Sequence, residues 1–394
     1  MPAPLLKLNL DFIKFKLDLY KFKFNFIKFK LNFIKSKFSF KNSCGKSRKE
    51  QRKILVRLPV CLKNFSYLCR RKIPRKGFLR SDAELKTTKD IDRKTMKKHS
   101  LKEWVLTTRP WSFPASAMPV LVTMAWVFTT VSRDANWLLG LWALVNIVLV
   151  HAAGNLWSDY FDHRQGVDRE DTYGVKILTC GQFTPREVWR LSVCLQVVAV
   201  AMGIGLVLLT GLPLLWIGVA GICLSLLYPP LKYHALGDVV ILLCYALLPM
   251  IGTSFVTTGV IHWNVLWLAV PVGLITVAIL HVNNTRDIET DQRAGIKTFS
   301  LLTGRRFAAW VYVFEVTMPY LWMVGLAAVG IVPWFTLLVF LSLPLALKNV
   351  KTMRGYKTGG VESFARLDEA TAQLQLVFSL TLCIGFLLAA FFGA

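Results

Sequence analysis

The sequence Asn155-Leu-Trp-Ser-Asp159-Tyr-Phe-Asp162-His-Arg-Gln-Gly166-Val-Asp168 decides the fold, because it places carboxylates where a long apolar run ends. The run before it, from Trp137 through Val150, contains no charged residue. A segment of that composition is typical of a helix that lies in lipid. We therefore expect the end of this helix to form an acidic patch at the membrane surface.

A second stretch of similar design occurs further along, His281-Val-Asn283-Asn284-Thr-Arg286-Asp287-Ile-Glu289-Thr-Asp291, and it also closes an apolar run. Asp159 and Asp162 are three positions apart in the first stretch. Asn284, Asp287 and Asp291 are three and four apart in the second, so on a helix each set projects from one face. Two acidic faces at two helix ends are predicted to share one site.

Two clusters of carboxylates repel each other unless a cation lies between them. Oxygen ligands with Lys and Arg nearby suit Mg²⁺ that also binds phosphate oxygens. For one cluster alone, solvated surface charge is the better interpretation. Two Asn-plus-Asp clusters at equivalent helix ends favour a shared functional site instead.

The paired motifs resemble the two signatures of the UbiA superfamily of membrane prenyltransferases. They are Ser158-Asp159-Tyr-Phe-Asp162-x5-Asp168, and Asn284-x2-Asp287-x3-Asp291 followed by Lys297. The flanking words are similar to the branch of 1,4-dihydroxy-2-naphthoate polyprenyltransferases in menaquinone biosynthesis: Thr108-Arg109-Pro110-Trp111-Ser112, Gly154-Asn155-Leu156, Gly166-Val167-Asp168 and Asn283-Asn284-Thr285-Arg286-Asp287. Many relatives have Asn where this chain has Ser158, so a ligand role there passes to Asn155 or to a water.

The resemblance implies transfer of a polyprenyl group from a polyprenyl diphosphate to an aromatic acceptor, with Mg²⁺ as the cofactor. It implies that the metal is held by Asp162, Asp168, Asp287 and Asp291. The catalytic residues are expected to be Asp159, Asp162, Asp287 and Asp291. Substrate binding is expected from Asn155, Lys176, Tyr228, Lys232, Asn284, Arg286 and Lys297, with Lys176, Arg286 and Lys297 adding positive charge beside the phosphates.

Three alternatives stay open. Other members of the superfamily prenylate 4-hydroxybenzoate, haem, chlorophyllide or homogentisate, so the naphthoate acceptor is a preference. A transporter also has acids near helix mouths, although transporters tend to place ionisable groups at the membrane midplane. Lys232, beside Tyr228 and Tyr233, either holds an anionic group or is an interfacial lysine between aromatic residues.

Histidines stand before both motifs, at His151 and His281. A histidine inside a membrane segment indicates a functional site by default. A hydrogen bond between helices explains each of them equally well. Neither is included among the predicted catalytic residues.

The 394 residues are 54% apolar with a mean hydropathy of +0.47, which is typical of a polytopic membrane protein. Residues 1–98 hold 29 of the 48 Lys and Arg but 7 of the 23 Asp and Glu, so they carry +22 of the net +25. Residues 1–95 are expected to be a basic low-complexity extension, either an arm that attracts anionic lipid or the product of a misplaced start with Met96 as the initiator. Nucleic-acid binding is not expected.

From residue 96 to 394 we predict an all-α transmembrane domain of about nine helices around a central cavity in the lipid bilayer. The apolar runs are 114–132, 137–157, 187–209, 212–228, 238–258, 264–283, 307–328, 331–347 and 370–392. Alternate connections contain sixteen Lys and Arg, whereas the others contain only Arg133. The positive-inside rule then places the N-terminus and both acidic motifs on the cytoplasmic side, and we expect the cell's inner (cytoplasmic) membrane.

Overall fold

The computed structural model describes residues 99–169, 172–173 and 177–393 and forms an all-α bundle over them. Within these ranges nine helical spans are long and apolar enough to cross a membrane, which confirms the predicted fold class. No β-strand occurs in the described ranges. The predicted extension, residues 1–95, lies outside them, and so does Lys176.

We number the helices in chain order. They are α1 (Leu101–Thr107), α2 (Pro114–Thr130), α3 (Trp137–Gln165), α4 (Pro185–Thr210), α5 (Leu212–Lys232), α6 (Gly237–Leu242), α7 (Leu248–Thr258), α8 (Leu266–Arg286), α9 (Ile288–Ala294), α10 (Phe299–Thr303), α11 (Arg305–Ala328), α12 (Leu343–Arg354), α13 (Tyr356–Gly359) and α14 (Leu367–Phe392). A π-helical turn, Leu243–Leu247, joins α6 to α7. Four 3₁₀ segments complete the described helical structure: Pro110–Ser112, Trp263–Val265, Trp334–Ser342 and Val361–Phe364.

The core lies around α8, which packs against α11 and α14. Fully buried apolar side chains on α8, such as Val272 and Ile275, meet Tyr312 and Phe378 from these two neighbours. In contrast, α4 and α5 expose large apolar side chains such as Leu208 and face lipid on one side. The bundle therefore has a dense half and a more open half.

Helix α3 is longer than a bilayer requires. Its 29 residues span about 44 Å at 1.5 Å per residue, against a hydrocarbon core of about 30 Å. The helix ends at Gly166, whose φ of 71° and backbone bond to Asp162 O form a left-handed cap that glycine adopts without strain. The last turns, which carry Asp159 and Asp162, therefore extend past the apolar run.

Two segments differ from the sequence prediction. The helix expected to carry Asn284, Asp287 and Asp291 on one face breaks at Asp287, which lies between α8 and α9 with φ −93° and ψ 14°. Asp287 is the N-cap residue of the short α9, but its carboxylate binds Arg286 and makes no capping hydrogen bond. In the eighth span, Trp334–Ser342 is a 3₁₀ helix. At its end Leu343 N–H bonds to Phe340 O, the carbonyl that Pro344 cannot bond because it has no N–H.

Candidate active site

One cavity of about 620 Å³ opens between the helices of the less dense half. Its volume is within the range of small-molecule sites. Both acidic motifs line it, as do polar residues from the loop before α2 and from the end of α5. The rest of the wall is mainly apolar and comes from α3 to α8. Its large aliphatic residues on α3, α4, α5 and α8 include Ile147, Val150, Val200, Ile204, Val207, Leu214, Leu215, Ile217, Ile222, Ile279 and Leu280. The cavity thus joins a charged mouth to an apolar interior.

Asp159 is buried, and its Oδ1 accepts a hydrogen bond from Arg109 Nη2. Its second oxygen, Oδ2, is buried with no hydrogen-bond partner in the described part of the chain. A buried carboxylate oxygen without a donor is costly. Asp159 therefore has an acceptor position left for a further donor or a cation.

Arg109 reaches Asp159 because the chain turns sharply before α2. Arg109 adopts a left-handed backbone, with φ 59° and ψ 61°, which is unusual for a residue with a side chain. Asn155 holds this turn, since its Nδ2 donates to Thr108 O at 3.0 Å and to Ser112 Oγ at 3.1 Å. The amide nitrogen of Asn155 is thus committed to the protein, and the structure gives this residue a positioning role.

Asp162 is the most extensively bonded of the acidic residues. Lys232 Nζ donates to Oδ2 at 3.0 Å, and Tyr233 Oη donates to Oδ1 at 2.7 Å. Ser158 Oγ also donates to Oδ2, at 3.1 Å. Burial and the Asp162 carboxylate raise the pKa of Tyr233, so its hydroxyl remains a donor at neutral pH. Ser158 therefore acts on Asp162 and is not itself an independent oxygen ligand here.

The second acidic motif is paired mainly within its own neighbourhood. Arg286 binds Asp287 in a bidentate manner, with Nε to Oδ1 at 2.9 Å and Nη2 to Oδ2 at 3.0 Å. Its remaining terminal nitrogen donates to Ala365 O at 3.0 Å and lies 3.5 Å from Asp368. Arg286 lines the cavity with its guanidinium held by these protein partners, and its predicted role beside the phosphates stays a prediction.

Asp168 and Asp291 line the cavity from opposite motifs. Burial, followed by the charges of Asp162 and Asp159, raises the pKa of Asp168 to about 7. Burial also raises the pKa of Asp291 to about 7, against the lowering effect of Lys232. Each carboxyl would lose its proton more readily beside an added cation.

The oxygen-rich donor set fits Mg²⁺ in kind, and the unpartnered Asp159 Oδ2 supports this. However, no group of three or more His, Cys, Asp or Glu in the described ranges is arranged to hold a metal by itself. The predicted cage of Asp162, Asp168, Asp287 and Asp291 is therefore not preformed, because Asp162 and Asp287 are paired with Lys232 and Arg286. Mg²⁺ commonly takes one or two carboxylates and completes its shell with water and phosphate oxygens.

The remaining predicted substrate-binding residues are divided. Tyr228, Lys232 and Asn284 line the cavity. Lys297 does not: its side chain is exposed, while its backbone N–H donates to Tyr233 O at 3.0 Å. This hydrogen bond joins Lys297 to Tyr233, the residue directly after α5 and Lys232. The substrate-binding roles of Lys297 and Lys232 stay predictions.

Two functional candidates were missed by sequence reasoning. Arg109 was quoted in a flanking word without a role, and Tyr233 was seen only as an aromatic neighbour of Lys232. Both donate to first-motif carboxylates that are 50 and 71 positions away. A single Arg directly before an apolar run was the available signal for Arg109; for Tyr233 there was none.

The two histidines have different surroundings. His281 is fully buried outside the cavity, with Nε2 3.0 Å from Ala308 O and Nδ1 within 3.6 Å of Asp238 and Glu315. It joins α8 to α6 and α11, as the interhelical interpretation predicted. His151 lines the cavity and lies 2.9 Å from Ser116 Oγ.

This arrangement of helices and motifs is that of a known class of membrane enzymes. The model of the UbiA prenyltransferase family matches residues 116–349. The chain therefore belongs to the UbiA prenyltransferase family, and the family-level part of the predicted resemblance is confirmed.

Curated relatives agree on the family and carry different names. The UbiA prenyltransferase domain-containing protein 1 of Gallus gallus is 33% identical over 293 residues, covering 73% of this chain and 85% of that protein. The human protein of the same name is 32% identical over 293 residues. A 1,4-dihydroxy-2-naphthoate octaprenyltransferase from Bacillus subtilis (strain 168) is 28% identical over 295 residues, covering 73% of this chain and 93% of that protein. The naphthoate branch therefore stays a prediction.

Solved structures share the fold. A UbiA homolog from Aeropyrum pernix K1 superposes with a TM-score of 0.52 at 15% identity, covering 74% of this chain and 99% of that one. A UbiA homolog from Archaeoglobus fulgidus, bound to GPP and Mg²⁺, gives a TM-score of 0.50 at 12% identity over 70% of this chain and 97% of that one. These structures therefore support the fold, nine membrane-spanning helical segments in the described ranges.

Proposed function

We propose that this protein transfers a polyprenyl group from a polyprenyl diphosphate to a hydroxylated aromatic ring, with 1,4-dihydroxy-2-naphthoate as the acceptor, in menaquinone biosynthesis. The observation that carries the proposal is that both acidic motifs line one cavity whose interior is apolar. A diphosphate with a prenyl tail has the same division into a charged head and an apolar chain. The naphthoate acceptor rests on the flanking words and on the Bacillus subtilis relative.

The charged mouth is suited to a diphosphate leaving group. Arg109 and Lys232 now neutralise Asp159 and Asp162. When a diphosphate arrives, these two cations can turn from the carboxylates to the phosphate oxygens. Fixed positive charge there stabilises the negative charge that grows as the allylic C–O bond breaks.

Mg²⁺ would be held jointly by the diphosphate and by Asp159, Asp162 and Asp168 on one side and Asp287 and Asp291 on the other. Bound there, Mg²⁺ supplies neutralisation of the leaving diphosphate. The relative from Archaeoglobus fulgidus, bound to GPP and Mg²⁺, supports this assignment. When Arg109 and Lys232 bind phosphate oxygens instead, the carboxylates of Asp159 and Asp162 become free to bind the metal.

The apolar interior serves the prenyl tail. Side chains such as Ile204, Leu215 and Ile279 surround it and give no donor or nucleophile. An allylic cation formed at the mouth would therefore meet the aromatic acceptor before it meets water. The acceptor carbon then forms the new C–C bond, and with a 2-carboxylate at that carbon the lost group is CO₂.

We propose the cytoplasmic side for the acidic mouth, on the distribution of Lys and Arg between alternate connections. The relatives include vertebrate as well as bacterial proteins. For a bacterial host, we propose the inner membrane. Residues 1–95 are proposed to be dispensable, because every residue that we place at the cavity lies after them.

Membranes containing the protein, incubated with labelled polyprenyl diphosphate and each candidate acceptor, test the function directly. We expect a prenylated naphthalene product with 1,4-dihydroxy-2-naphthoate, and no product when EDTA is in excess. Product with 4-hydroxybenzoate, homogentisate or haem alone would replace the acceptor and keep the reaction class. Full turnover in excess EDTA would overturn the metal assignment.

A further inference from the structure

Three ionisable side chains meet inside the bundle and outside the cavity: Asp238 of α6, His281 of α8 and Glu315 of α11. His281 Nδ1 lies 3.6 Å from Asp238 Oδ2 and 3.5 Å from Glu315 Oε1. His281 is 0% exposed and Glu315 is 5% exposed. The proposed reaction uses none of the three. Ionisable residues buried in membrane helices commonly mark a functional site, so a role for this cluster is expected.

The contacts of the cluster require a proton that the three groups share. His281 Nε2 lies 3.0 Å from Ala308 O, and a carbonyl oxygen only accepts, so Nε2 carries one proton. Nδ1 then faces two carboxyl groups, and without a proton its lone pair would meet theirs. Nδ1, Asp238 Oδ1 and Glu315 Oε2 have no hydrogen-bond partner in the described part of the chain. A second proton, on Nδ1 or on either carboxyl, removes the repulsion and lowers the negative charge of the cluster equally.

The neighbours of the cluster do not replace this proton. Within the described ranges, the ion pairs of Asp238 and Glu315 are both with His281. Tyr228 of α5 interacts electrostatically with Asp238, and Tyr312 of α11 with Glu315, but a neutral hydroxyl supplies no charge. Two carboxylates beside a neutral imidazole would be costly at this depth. The Asp238 side chain is 20% exposed, which gives the proton a route to water.

The cluster lies at one end of a loop whose other end carries donors to Asp162. Residues 233–236 join α5 to α6, and Asp238 is the second residue of α6. At the start of the loop, Lys232 Nζ and Tyr233 Oη both donate to the Asp162 carboxylate. A shift of Asp238 would therefore be passed to both donors.

This loop has little freedom of its own. Ala235 has φ 62°, a conformation that a residue with a side chain keeps only where its surroundings hold it. A Cβ added at Gly237 would lie 3.3 Å from Leu280 Cδ2, so the start of α6 lies very close to α8. Leu280 directly precedes His281 in the chain. The contact between α6 and α8 is therefore formed beside the cluster.

We propose that Asp238, His281 and Glu315 form a proton-binding site that holds the start of α6 against α8 and α11. Through the loop 233–236, this site positions the two donors to Asp162. The three side chains are positioning residues, and their effect on turnover rests on the proposed function.

The sign of the pH dependence follows from the proton count. Above about pH 7 the unfolded chain has released this proton, because an ordinary histidine is then neutral and ordinary carboxyls are ionised. The folded cluster still binds it, so stability falls as the pH rises and the proton leaves. The cluster then gains a negative charge, and Asp238 is repelled from its partners.

Replacing Glu315 by glutamine tests the shared proton. In Glu315→Gln an amide N–H, which does not dissociate, can donate to His281 Nδ1 instead. From about pH 6 to about pH 9, the melting temperature in detergent should fall by about 3 °C more in wild type than in Glu315→Gln. Asp238→Asn places an amide on the other side of Nδ1 and should behave in the same way. Glu362→Gln, the same change at an exposed glutamate, is the matched control and should keep the wild-type profile.

The KM of geranylgeranyl diphosphate tests the positioning role. At about pH 6, wild type and Glu315→Gln should agree within about twofold, because both clusters hold a hydrogen at Nδ1. At about pH 9 the KM of wild type should be about fivefold higher than that of the variant, the low end of the usual coupling between two sites. A merely structural loss of the carboxylate would make the variant worse at every pH.

The two measurements fail separately. If the melting temperatures of wild type and Glu315→Gln depend equally on pH, or the variant is less stable at every pH, the proton site is wrong. If the melting profiles differ as expected but the ratio of the two KM values does not change with pH, the positioning role is wrong. If wild type converts no aromatic acceptor at any pH, the proposed function fails, whereas the melting profiles still test the proton site.

Discussion

The two acidic helix ends of the cavity are neutralised in opposite ways. At the end of α3, Asp159 and Asp162 pair with Arg109 and Lys232, which lie 50 and 70 positions away in the chain. At the end of α8, Asp287 pairs with Arg286, its immediate neighbour. The first end is assembled from three segments of the chain, α3, the turn before α2 and the end of α5. The second is built locally and is further held by the α14 side of the bundle.

This contrast predicts that equal substitutions at the two ends have unequal effects on stability. Asp162→Asn and Asp287→Asn should both lower turnover by at least about a hundredfold, since each removes a carboxylate that neutralises the diphosphate–metal complex. Asp162→Asn should also lower the melting temperature, because it leaves the half-buried Lys232 ammonium without its carboxylate.

Asp287→Asn should lower the melting temperature less, because the buried Arg286 keeps Ala365 O and Asp368 as partners. Thermal unfolding in detergent, run beside the turnover assay, separates the two variants. Equal loss of stability at both ends would show that they are not held differently.

The next largest effect concerns the two lysines. Lys232→Met should lower turnover with prenyl diphosphate about ten- to a hundredfold, as loss of a charge-assisted contact to phosphate predicts. Lys297→Met is the matched control, because its side chain is exposed and outside the cavity. It should change turnover less than twofold. If Lys297→Met lowers turnover more than Lys232→Met does, the phosphate contact is made by Lys297 and not by Lys232.

The Arg109→Gly variant distinguishes the role of the Arg109 backbone from the role of its charge at the end of α3. Glycine adopts the left-handed conformation without strain, so any loss of stability in chemical or thermal unfolding should come from the buried Asp159 carboxylate, which is left without its cation, and not from the backbone. Turnover should fall about tenfold, because Asp159 and the diphosphate lose a cation. A marked loss of stability together with unchanged turnover would mean that the Arg109–Asp159 pair is structural.

The smallest effect is expected from removing residues 1–95. Neither acidic end draws on that segment for a residue that we place at the cavity. Turnover per molecule of inserted protein should remain within twofold of the full chain, measured after quantifying protein in the membrane. A large loss would show that the segment contributes to the site.

The sequence predicts the helices and the pairing of the motifs well, because apolar length and carboxylate spacing are local properties. The nine spans and the approach of Asp159 and Asp162 to Asp287 and Asp291 were foreseen in this way. The break at Asp287 was missed because Asn284, Asp287 and Asp291 fit a continuous helix by spacing alone.

Contacts between distant segments lie beyond such reasoning. Lys297 follows the second motif closely, and its position in the sequence suggested a phosphate ligand. In the structure its backbone N–H donates to Tyr233 O, and its side chain is exposed. Arg109 reaches Asp159 only because Asn155 holds an unusual turn. Neither the hydrophobic periodicity nor the spacing of polar residues in the sequence predicts that turn.

The most direct test of one shared site is a double-mutant cycle on Mg²⁺-dependent binding of an unreactive prenyl thiodiphosphate, measured by calorimetry. If both acidic ends grip one ligand, Asp162→Asn and Asp287→Asn each abolish most of the Mg²⁺-dependent affinity, and the double variant loses little more than either alone. Losses that add in full, or a single variant that keeps its Mg²⁺-dependent affinity, would show that the two ends act independently and contradict a shared site.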